Sequence, residues 1–330
     1  MMRKRSYVPY FDFLKGIAIL LVIAIHTYDI SGAKEGMAGD INLLLRQIIQ
    51  CAVPIFVAVS GYFVVKSRGP YISYLKQRVL KIYVPALVWS LPYLIEAFGK
   101  GYRLLPILGI YFICGFSIYY FIALIMQFYV ISPVLCKYFS NRGGVFLSCV
   151  MTAIAVSVVS YSIYVKGMAI PLVLYAGAFP VWMAFFVVGI WLGSMERRDY
   201  RIWPWILTVL VGLILSYAES RMLISLCGKG AGLKLSTQIY SFGAVMLLFS
   251  DRVQRRLEGD NPLFRFIVWV GSISFGIYLV HMYILELLNE YNPTGNWFLN
   301  TLFVFTATAG SIYIVKKILP TRFLVYLGLR

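Results

Sequence analysis

Long apolar segments follow one another along this chain, and they constrain its fold more than any other feature. A window of about 20 predominantly apolar residues spans the hydrocarbon core of a bilayer as an α-helix. Hydrophobic residues make up 61% of the 330 residues and charged residues only 13%, well outside the averages for soluble domains. We therefore predict an all-α, polytopic membrane protein, a bundle of about ten transmembrane helices near residues 10–30, 45–65, 82–98, 117–136, 145–165, 179–194, 202–218, 235–250, 265–288 and 297–317.

The spacing of these windows predicts a single domain. No loop between them exceeds about 20 residues, and Pro, Gly and Ser do not cluster into a linker. Residues 104–116 and 168–178 are apolar but short, and Pro106 and Pro171 interrupt them, which favours re-entrant or interfacial pieces over further crossings. We expect residues 1–330 to form one transmembrane domain without a separate soluble domain.

The net charge of +17 reflects topology rather than an anionic partner. Cytoplasmic loops of membrane proteins collect Lys and Arg. With ten helices, 21 of the 30 Lys and Arg residues fall on the side that holds both termini. We therefore predict that both termini are cytoplasmic and that the protein is multi-pass in a cell membrane (plasma or inner), surrounded by membrane lipids. We expect no binding to nucleic acid.

Two ionisable residues lie in the first apolar window, where such residues are costly and usually functional. Lys15 and His26 are eleven positions apart, so on an α-helix both side chains lie within about 20° of one face and about 16 Å apart along the axis. A cation and a titratable base would thus share one inward face. Asp12, one turn before Lys15, can pair with it. Asp29, at i+3 from His26, either orients the imidazole or ends the helix at the interface.

A basic segment precedes the third predicted helix. Residues 66–81 contain five cations and no acid. On a helix Arg78 and Lys81 are neighbours at i,i+3, and Lys76 lies elsewhere on the same short helix. The pair could therefore bind a phosphate, with the planar guanidinium of Arg78 forming two parallel hydrogen bonds and the ammonium of Lys81 acting as a point charge. The alternative is a topology signal that contacts anionic lipid headgroups.

Three further polar residues are candidates for the wall of a cavity. His281 is predicted about as deep in its helix as His26 is in the first, so the two could line one space; a hydrogen bond from His281 to a neighbouring helix is the alternative. Tyr278, one turn away, is a candidate partner of His281 or another part of the wall. Ser60 could supply a hydroxyl, whereas the Ser60–Gly61 pair is also typical of close helix packing.

The sequence predicts no metal site. The five cysteines lack CxxC spacing, and the two histidines form no HExxH pattern.

The segment from Asp12 to His26 resembles the opening signature of the acyltransferase-3 family of integral membrane acyltransferases, an Asp followed by Arg or Lys and, after ten further residues, by His. Other segments are similar to later family motifs in the same order: Pro54–Phe63, Arg78–Lys81 with Tyr83 and Pro85, Tyr129–Pro133 and Ser274–His281. The resemblance spans residues 9 to about 285. Departures from the pattern are Lys15 and Lys81, which stand where Arg is common, and Tyr119–Phe121, which replaces a Trp-rich stretch.

The resemblance implies transfer of an acyl group, most often acetyl, from a cytosolic acyl-CoA to a hydroxyl of a cell-envelope glycan or lipid-linked sugar. Acetyl-CoA would then be the co-substrate, and the reaction an O-acetylation in a bacterial membrane. Arg78 and Lys81, with Lys76 nearby, would meet the CoA phosphates. Lys15 would hold a phosphate or a polar group of the pantetheine. His26 would act as general base or carry the acyl group transiently.

Two alternatives to this function stay open. Because buried Lys and His also mark substrate and proton pathways, a transporter or flippase of a lipid-linked glycan or small molecule is one, and a membrane sensor or scaffold is the other.

The partner that completes the transfer is also open. The chain ends soon after the tenth predicted helix, so we expect no appended extracytoplasmic hydrolase-like domain. Either the membrane domain modifies a lipid-linked acceptor itself or a separate extracytoplasmic transferase finishes the reaction, and a homo-oligomer is also compatible with the sequence.

Overall fold

The computed structural model describes residues 8–31, 36–67, 70–228, 232–291 and 295–329, and for residues 29–31 it describes the backbone only. The described residues form helices and short connections and include no β-strand. The α-helices are α1 (Pro9–Ser31), α2 (Gly36–Ile48), α3 (Ala52–Val65), α4 (Tyr71–Arg78), α5 (Val84–Gly99), α6 (Leu104–Phe112), α7 (Tyr120–Tyr138), α8 (Arg142–Ser160), α9 (Leu172–Tyr175), α10 (Met183–Ser194), α11 (Trp203–Cys227), α12 (Leu235–Phe249), α13 (Asp251–Leu257), α14 (Pro262–Ser272), α15 (Ser274–Glu290), α16 (Trp297–Ile318) and α17 (Thr321–Leu324).

Each of the ten predicted windows holds a helical segment, which confirms the helical membrane class. Within the described residues, α14 and α15 form one broken segment, bent by 77°, and the segments Phe179–Ser194 and Leu235–Phe249 are apolar but short. By length and composition alone, seven of the described helical segments could cross a membrane, or eight if the bent pair is one crossing. This is fewer than the ten crossings predicted from the sequence. The seven are Pro9–Tyr28, Gly36–Val65, Tyr71–Gly99, Ser117–Tyr138, Arg142–Val165, Trp203–Cys227 and Trp297–Ile318.

The two short apolar pieces of the sequence are too short to cross a bilayer as helices. Residues 104–116 contain α6, which has nine residues, and residues 168–178 contain α9, which has four. A helical crossing needs about 20 residues.

Close glycine contacts fix α1 in the bundle, where it packs against α3, α14, α15 and α16. A Cβ atom on Gly16 would lie 2.1 Å from the carbonyl oxygen of Ile267, and one on Gly271 would lie 1.7 Å from that of Asp12. Only glycine permits such an approach of two backbones. The depth and rotation of α1, and hence of Lys15 and His26, are set by its contact with α14.

The same kind of contact joins α3 to α10. A Cβ atom on Gly61 would lie 2.1 Å from the carbonyl oxygen of Phe186, and one on Gly189 would lie 2.1 Å from that of Ala58. The packing role expected for Gly61 is confirmed. Ser60, its neighbour, is half-buried.

A π-helical turn, Val79–Tyr83, separates α4 from α5. Its i→i+5 hydrogen bonds place more residues in a turn than an α-helix does, and such turns occur frequently at functional sites. Lys81 lies inside this turn and Arg78 lies just before it, so the i,i+3 geometry of an α-helix does not apply to them.

Candidate functional site

A cavity of about 720 Å³ lies between the helices of the bundle. Its walls are mainly apolar and aromatic, with a few charged and hydroxyl groups spaced along it. Five of the nine site residues expected from the sequence line this cavity, namely Lys15, His26, Ser60, Arg78 and Tyr278.

Lys15 and Arg78, two of the cations that line the cavity, are held differently. Lys15 Nζ lies 2.5 Å from Asp12 Oδ1, one turn earlier in α1, as the sequence predicts. The guanidinium of Arg78 lies over the rings of Tyr74 and Tyr129, at 5.0 and 5.2 Å from their centroids. No carboxylate among the described residues comes within ion-pair distance of Arg78. Cation–π contacts orient a guanidinium without neutralising it, so Arg78 can still attract an anionic ligand.

The structure separates Lys81 from Arg78. Lys81 lines a second cavity, of about 420 Å³, together with Lys316. The two cavities are adjacent, because Ser272 and Phe275 line both. Arg78 and Lys81 therefore line neighbouring cavities rather than the same one, and their contact with phosphate stays a prediction.

Lys76 and Asp29 are two further site residues expected from the sequence. Lys76 lies in α4 with Arg78, as predicted, but it is exposed and lines neither cavity, and its contact with phosphate stays a prediction. Asp29 lies in the last turns of α1, and its side chain is outside the described residues.

The two histidines lie side by side, at the similar depth expected from the sequence. Their ring centroids are 5.6 Å apart, with an angle of 41° between the ring planes. His26 is half-buried and lines the cavity, whereas His281 is fully buried and is not among the lining residues. His281 therefore lies behind His26 rather than on the cavity surface.

His281 is fixed by its own helix. Its Nδ1 atom lies 3.0 Å from the carbonyl oxygen of Ile277 and 2.9 Å from that of Tyr278. The hydroxyl of Tyr278 instead donates to the carbonyl oxygen of Ile118 at 2.5 Å. Tyr278 is thus a partner of His281 through its main chain, and its ring forms part of the cavity wall.

The far end of the cavity contains polar residues that sequence reasoning missed. Arg46 of α2 is buried and lines the cavity with Gln50, and its guanidinium lies 5.7 Å from the ring centroid of Tyr28. Both residues fall at the edge of the second apolar window. The available signal was an arginine just inside an apolar window, where an ionisable residue is costly.

A buried lysine lies behind this end of the cavity, in the connection before α12. Lys234 is fully buried and donates hydrogen bonds to Gln47 Oε1, at 2.8 Å, and to the hydroxyl of Ser220. Burial lowers the pKa of Lys234 to about 8; the nearby Glu219 acts in the opposite direction, and Arg46 adds to the lowering. The sequence assigned Lys234 to a loop because it lies one residue before an apolar window.

No cluster suited to a metal ion occurs among the described residues, since they contain no group of three or more His, Cys, Asp or Glu side chains in a suitable arrangement.

The arrangement of the cavity suits a long anionic molecule that reaches a histidine. Lys15 and Arg78 supply positive charge at one end, and His26 lies three helical turns beyond Lys15, about 16 Å further along α1. The walls between them are largely apolar. Arg46 and Gln50 supply hydrogen-bond donors at the far end.

A family model described as an acyltransferase domain, that of the acyltransferase-3 family, matches residues 8–316. The match includes α1 with Lys15 and His26, the π turn, and α15 with His281. No curated protein and no solved structure matches the chain. Because the family match covers nearly the whole chain and every segment that lines the cavity, the protein belongs to the acyltransferase-3 family and is a multi-pass membrane acyltransferase.

Proposed function

We propose that this membrane acyltransferase moves an acetyl group from cytosolic acetyl-CoA to a hydroxyl of a cell-envelope glycan or lipid-linked sugar, in the plasma or inner membrane of a bacterium. One observation carries the proposal: a single cavity joins the cations Lys15 and Arg78 to His26. Transfer from a CoA thioester needs an anion site and a base that the same extended molecule can reach, and this cavity offers both.

Arg78 and Lys15 are the primary contacts for the CoA phosphates. The two tyrosine rings hold the guanidinium of Arg78 in place, so little side-chain entropy is lost when it binds a phosphate. Lys81 and Lys316, in the adjacent second cavity, would meet another phosphate of the same CoA. Lys76, at the surface, would contribute only long-range attraction, which salt screens.

His26 is the proposed general base. As it accepts the proton of the acceptor hydroxyl, the hydroxyl oxygen forms a bond to the thioester carbonyl carbon and the carbon–sulfur bond breaks. The proton then passes from His26 to the departing thiolate, so CoA leaves as the thiol and His26 returns to its neutral form. In the alternative route, a nitrogen of His26 first bonds to the thioester carbonyl carbon as the carbon–sulfur bond breaks and CoA departs as the thiolate. The acceptor hydroxyl oxygen then bonds to the same carbon as the carbon–nitrogen bond breaks, and the hydroxyl proton neutralises the thiolate. Rapid quenching followed by mass spectrometry of the peptide that contains His26 separates the two routes.

The acceptor would approach from the end that contains Arg46 and Gln50, whose side chains can donate hydrogen bonds to sugar oxygens. We favour a lipid-linked acceptor modified by the membrane domain itself. A separate extracytoplasmic transferase would instead leave the acetyl group at this end of the cavity for the partner to collect.

Binding of radiolabelled acetyl-CoA to the purified protein in lipid nanodiscs tests the donor site. We expect Arg78→Gln and Lys15→Gln each to weaken binding by about tenfold or more, because each removes a charge-assisted hydrogen bond to phosphate. Lys137→Gln is the matched control, since Lys137 is exposed and lines neither cavity. Absence of saturable binding to the folded wild type, or an equal loss in the Lys137 variant, would refute the proposed donor site.

A further inference from the structure

The protonation pattern of His281 follows from its hydrogen bonds. Carbonyl oxygens only accept hydrogen bonds, so the Nδ1 atom that contacts the carbonyls of Ile277 and Tyr278 carries the hydrogen. His281 is fully buried, and no carboxylate among the described residues lies within ion-pair distance, so the neutral ring is favoured. A neutral imidazole with Nδ1–H has a bare lone pair on Nε2.

That lone pair is buried without a partner. Within the part of the chain that the structure describes, His281 Nε2 has no hydrogen-bond donor. Buried polar atoms are nearly always hydrogen-bonded, so an unmatched one calls for a donor that can move into place. The hydroxyl of Tyr278, whose ring centroid lies 6.2 Å from that of His281, already donates to the carbonyl oxygen of Ile118.

His26 is a donor that lies beside His281. Its ring centroid lies 5.6 Å from that of His281, and the ring planes meet at 41°. At this separation, a nitrogen of each ring can come within hydrogen-bonding distance of the other when the two point toward each other. The other ring nitrogen of His26 is then left for the cavity.

We propose that His281 is a positioning residue for His26. Its Nε2 lone pair accepts a hydrogen bond from the ring N–H of His26, which fixes the His26 tautomer whose free lone pair faces the cavity. This inference rests on the proposed role of His26 as the residue that takes the acceptor proton or the acyl group, since both routes need a lone pair on the cavity side.

The pairing also stabilises the charged form of His26 during transfer. When His26 takes up a proton from the acceptor, both of its ring nitrogens become donors, and His281 Nε2 accepts the hydrogen bond on the side away from the cavity. Buried carboxylates perform this task for histidine in many soluble enzymes. A neutral imidazole performs it without placing a negative charge inside the membrane, where such a charge is costly.

Nitrogen NMR tests the pairing directly, because the natural chain contains only two histidines. Protein labelled with ¹⁵N-histidine, without a histidine tag and in nanodiscs, yields signals from two imidazoles, and the His26→Gln and His281→Gln variants assign them. We expect His281 as the Nδ1–H tautomer and His26 as a single tautomer in the wild type. In His281→Asn, which lacks an acceptor at the Nε2 position, His26 should become a mixture of tautomers.

The tautomer readout does not depend on acyl transfer. A single His26 tautomer that is unchanged in His281→Asn would overturn the pairing, even if the protein transfers acetyl as proposed. The expected mixture in His281→Asn would support the pairing, even if the substrate proposal fails.

Kinetics of two matched variants provide the second test. His281→Gln can place its amide oxygen where Nε2 lies and so keeps the acceptor, whereas His281→Asn keeps only a donor near the carbonyls of Ile277 and Tyr278. We expect His281→Asn to lower kcat by about 10- to 100-fold with KM for acetyl-CoA unchanged, and His281→Gln to restore most of the rate. Equal kcat values in the two folded variants would contradict a positioning role.

Discussion

His26 is the residue on which transfer depends in this scheme, yet it lies about 16 Å along α1 from Lys15, one of the proposed phosphate contacts. Binding and chemistry are therefore separable by mutation. We expect His26→Ala to reduce acetyl transfer by about 100-fold or more while acetyl-CoA binding stays near the wild-type value. Equilibrium binding and transfer measured on the same nanodisc preparation check this. Loss of binding in the variant would show that His26 is part of the donor site.

The buried Lys234 should make the stability of the protein depend on pH. Its pKa in the folded protein, about 8, is below the ordinary lysine value of 10.5, so between these pH values the unfolded chain binds more protons than the folded one. The free energy of unfolding should therefore rise as pH increases from about 8 to 10.5, by up to about 3 kcal/mol from this group alone. Below pH 8 this contribution stays at its low value.

The measurement compares thermal unfolding of the wild type and Lys234→Met across that pH range. The stability difference between them should change with pH in favour of the wild type at the alkaline end, because methionine does not titrate. Lys166→Met, at an exposed lysine on the same predicted side, is the control and should follow the wild type. Parallel curves for wild type and Lys234→Met would show that Lys234 titrates normally.

At the scale of elements, the seam between α3 and α10 is built on glycine. A methyl group at Gly189 would overlap the carbonyl oxygen of Ala58, whereas the space around Gly310 in α16 is open. We expect Gly189→Ala to lower the free energy of unfolding by about 1–3 kcal/mol, since the helices must separate to admit it, and Gly310→Ala to cause no loss. Denaturation of both variants in one lipid system checks this. Equal stabilities would mean that the seam relaxes without strain.

The helices could be predicted because the length of an apolar segment can be read from the sequence. Whether a turn within a helix has α- or π-type hydrogen bonds cannot be read in this way. The π turn at Val79–Tyr83 and the bend after Ser272 do not interrupt the apolar pattern of the sequence, so the sequence does not predict them. A regular α-helix through residues 78–81 would place Lys81 beside Arg78. The inner half of the site was predictable because Lys15 and His26 stand inside an apolar window. The outer half was not, since Arg46 and Lys234 fall at window edges, where a charge is also the normal end of a helix.

At the scale of the whole molecule, contacts after the two short helices indicate how many segments cross. Arg198, which follows α10, lies with its guanidinium 5.7 Å from the ring of Phe11 and 2.7 Å from Asp251 Oδ1. Asp251 follows α12 and Phe11 begins α1, so α10 and α12 both end at the face where α1 starts. Because α10 is buried along nearly all of its length, its neighbours rather than lipid determine how long it has to be.

We therefore predict that both short segments cross the membrane, which would give the ten crossings expected from the sequence. Single cysteines at exposed positions, in a background without the five native cysteines, test this with an impermeant thiol reagent. Lys166→Cys and Ser225→Cys should react from outside the cell, and Glu196→Cys and Arg256→Cys only from the cytoplasmic side. Reaction of Lys166→Cys and Glu196→Cys from the same side would show that Phe179–Ser194 does not cross.

The π turn between α4 and α5 has a consequence for how this protein can change over evolutionary time. Because the turn holds an extra residue, deletion of one residue from Val79–Tyr83 would leave an ordinary α-helix and rotate α4 by about 100° relative to α5. Arg78 would then leave the larger cavity without any side chain having been exchanged. Insertion or deletion of a single codon at this turn would thus change the place at which the larger cavity offers a cation to the phosphates of a donor.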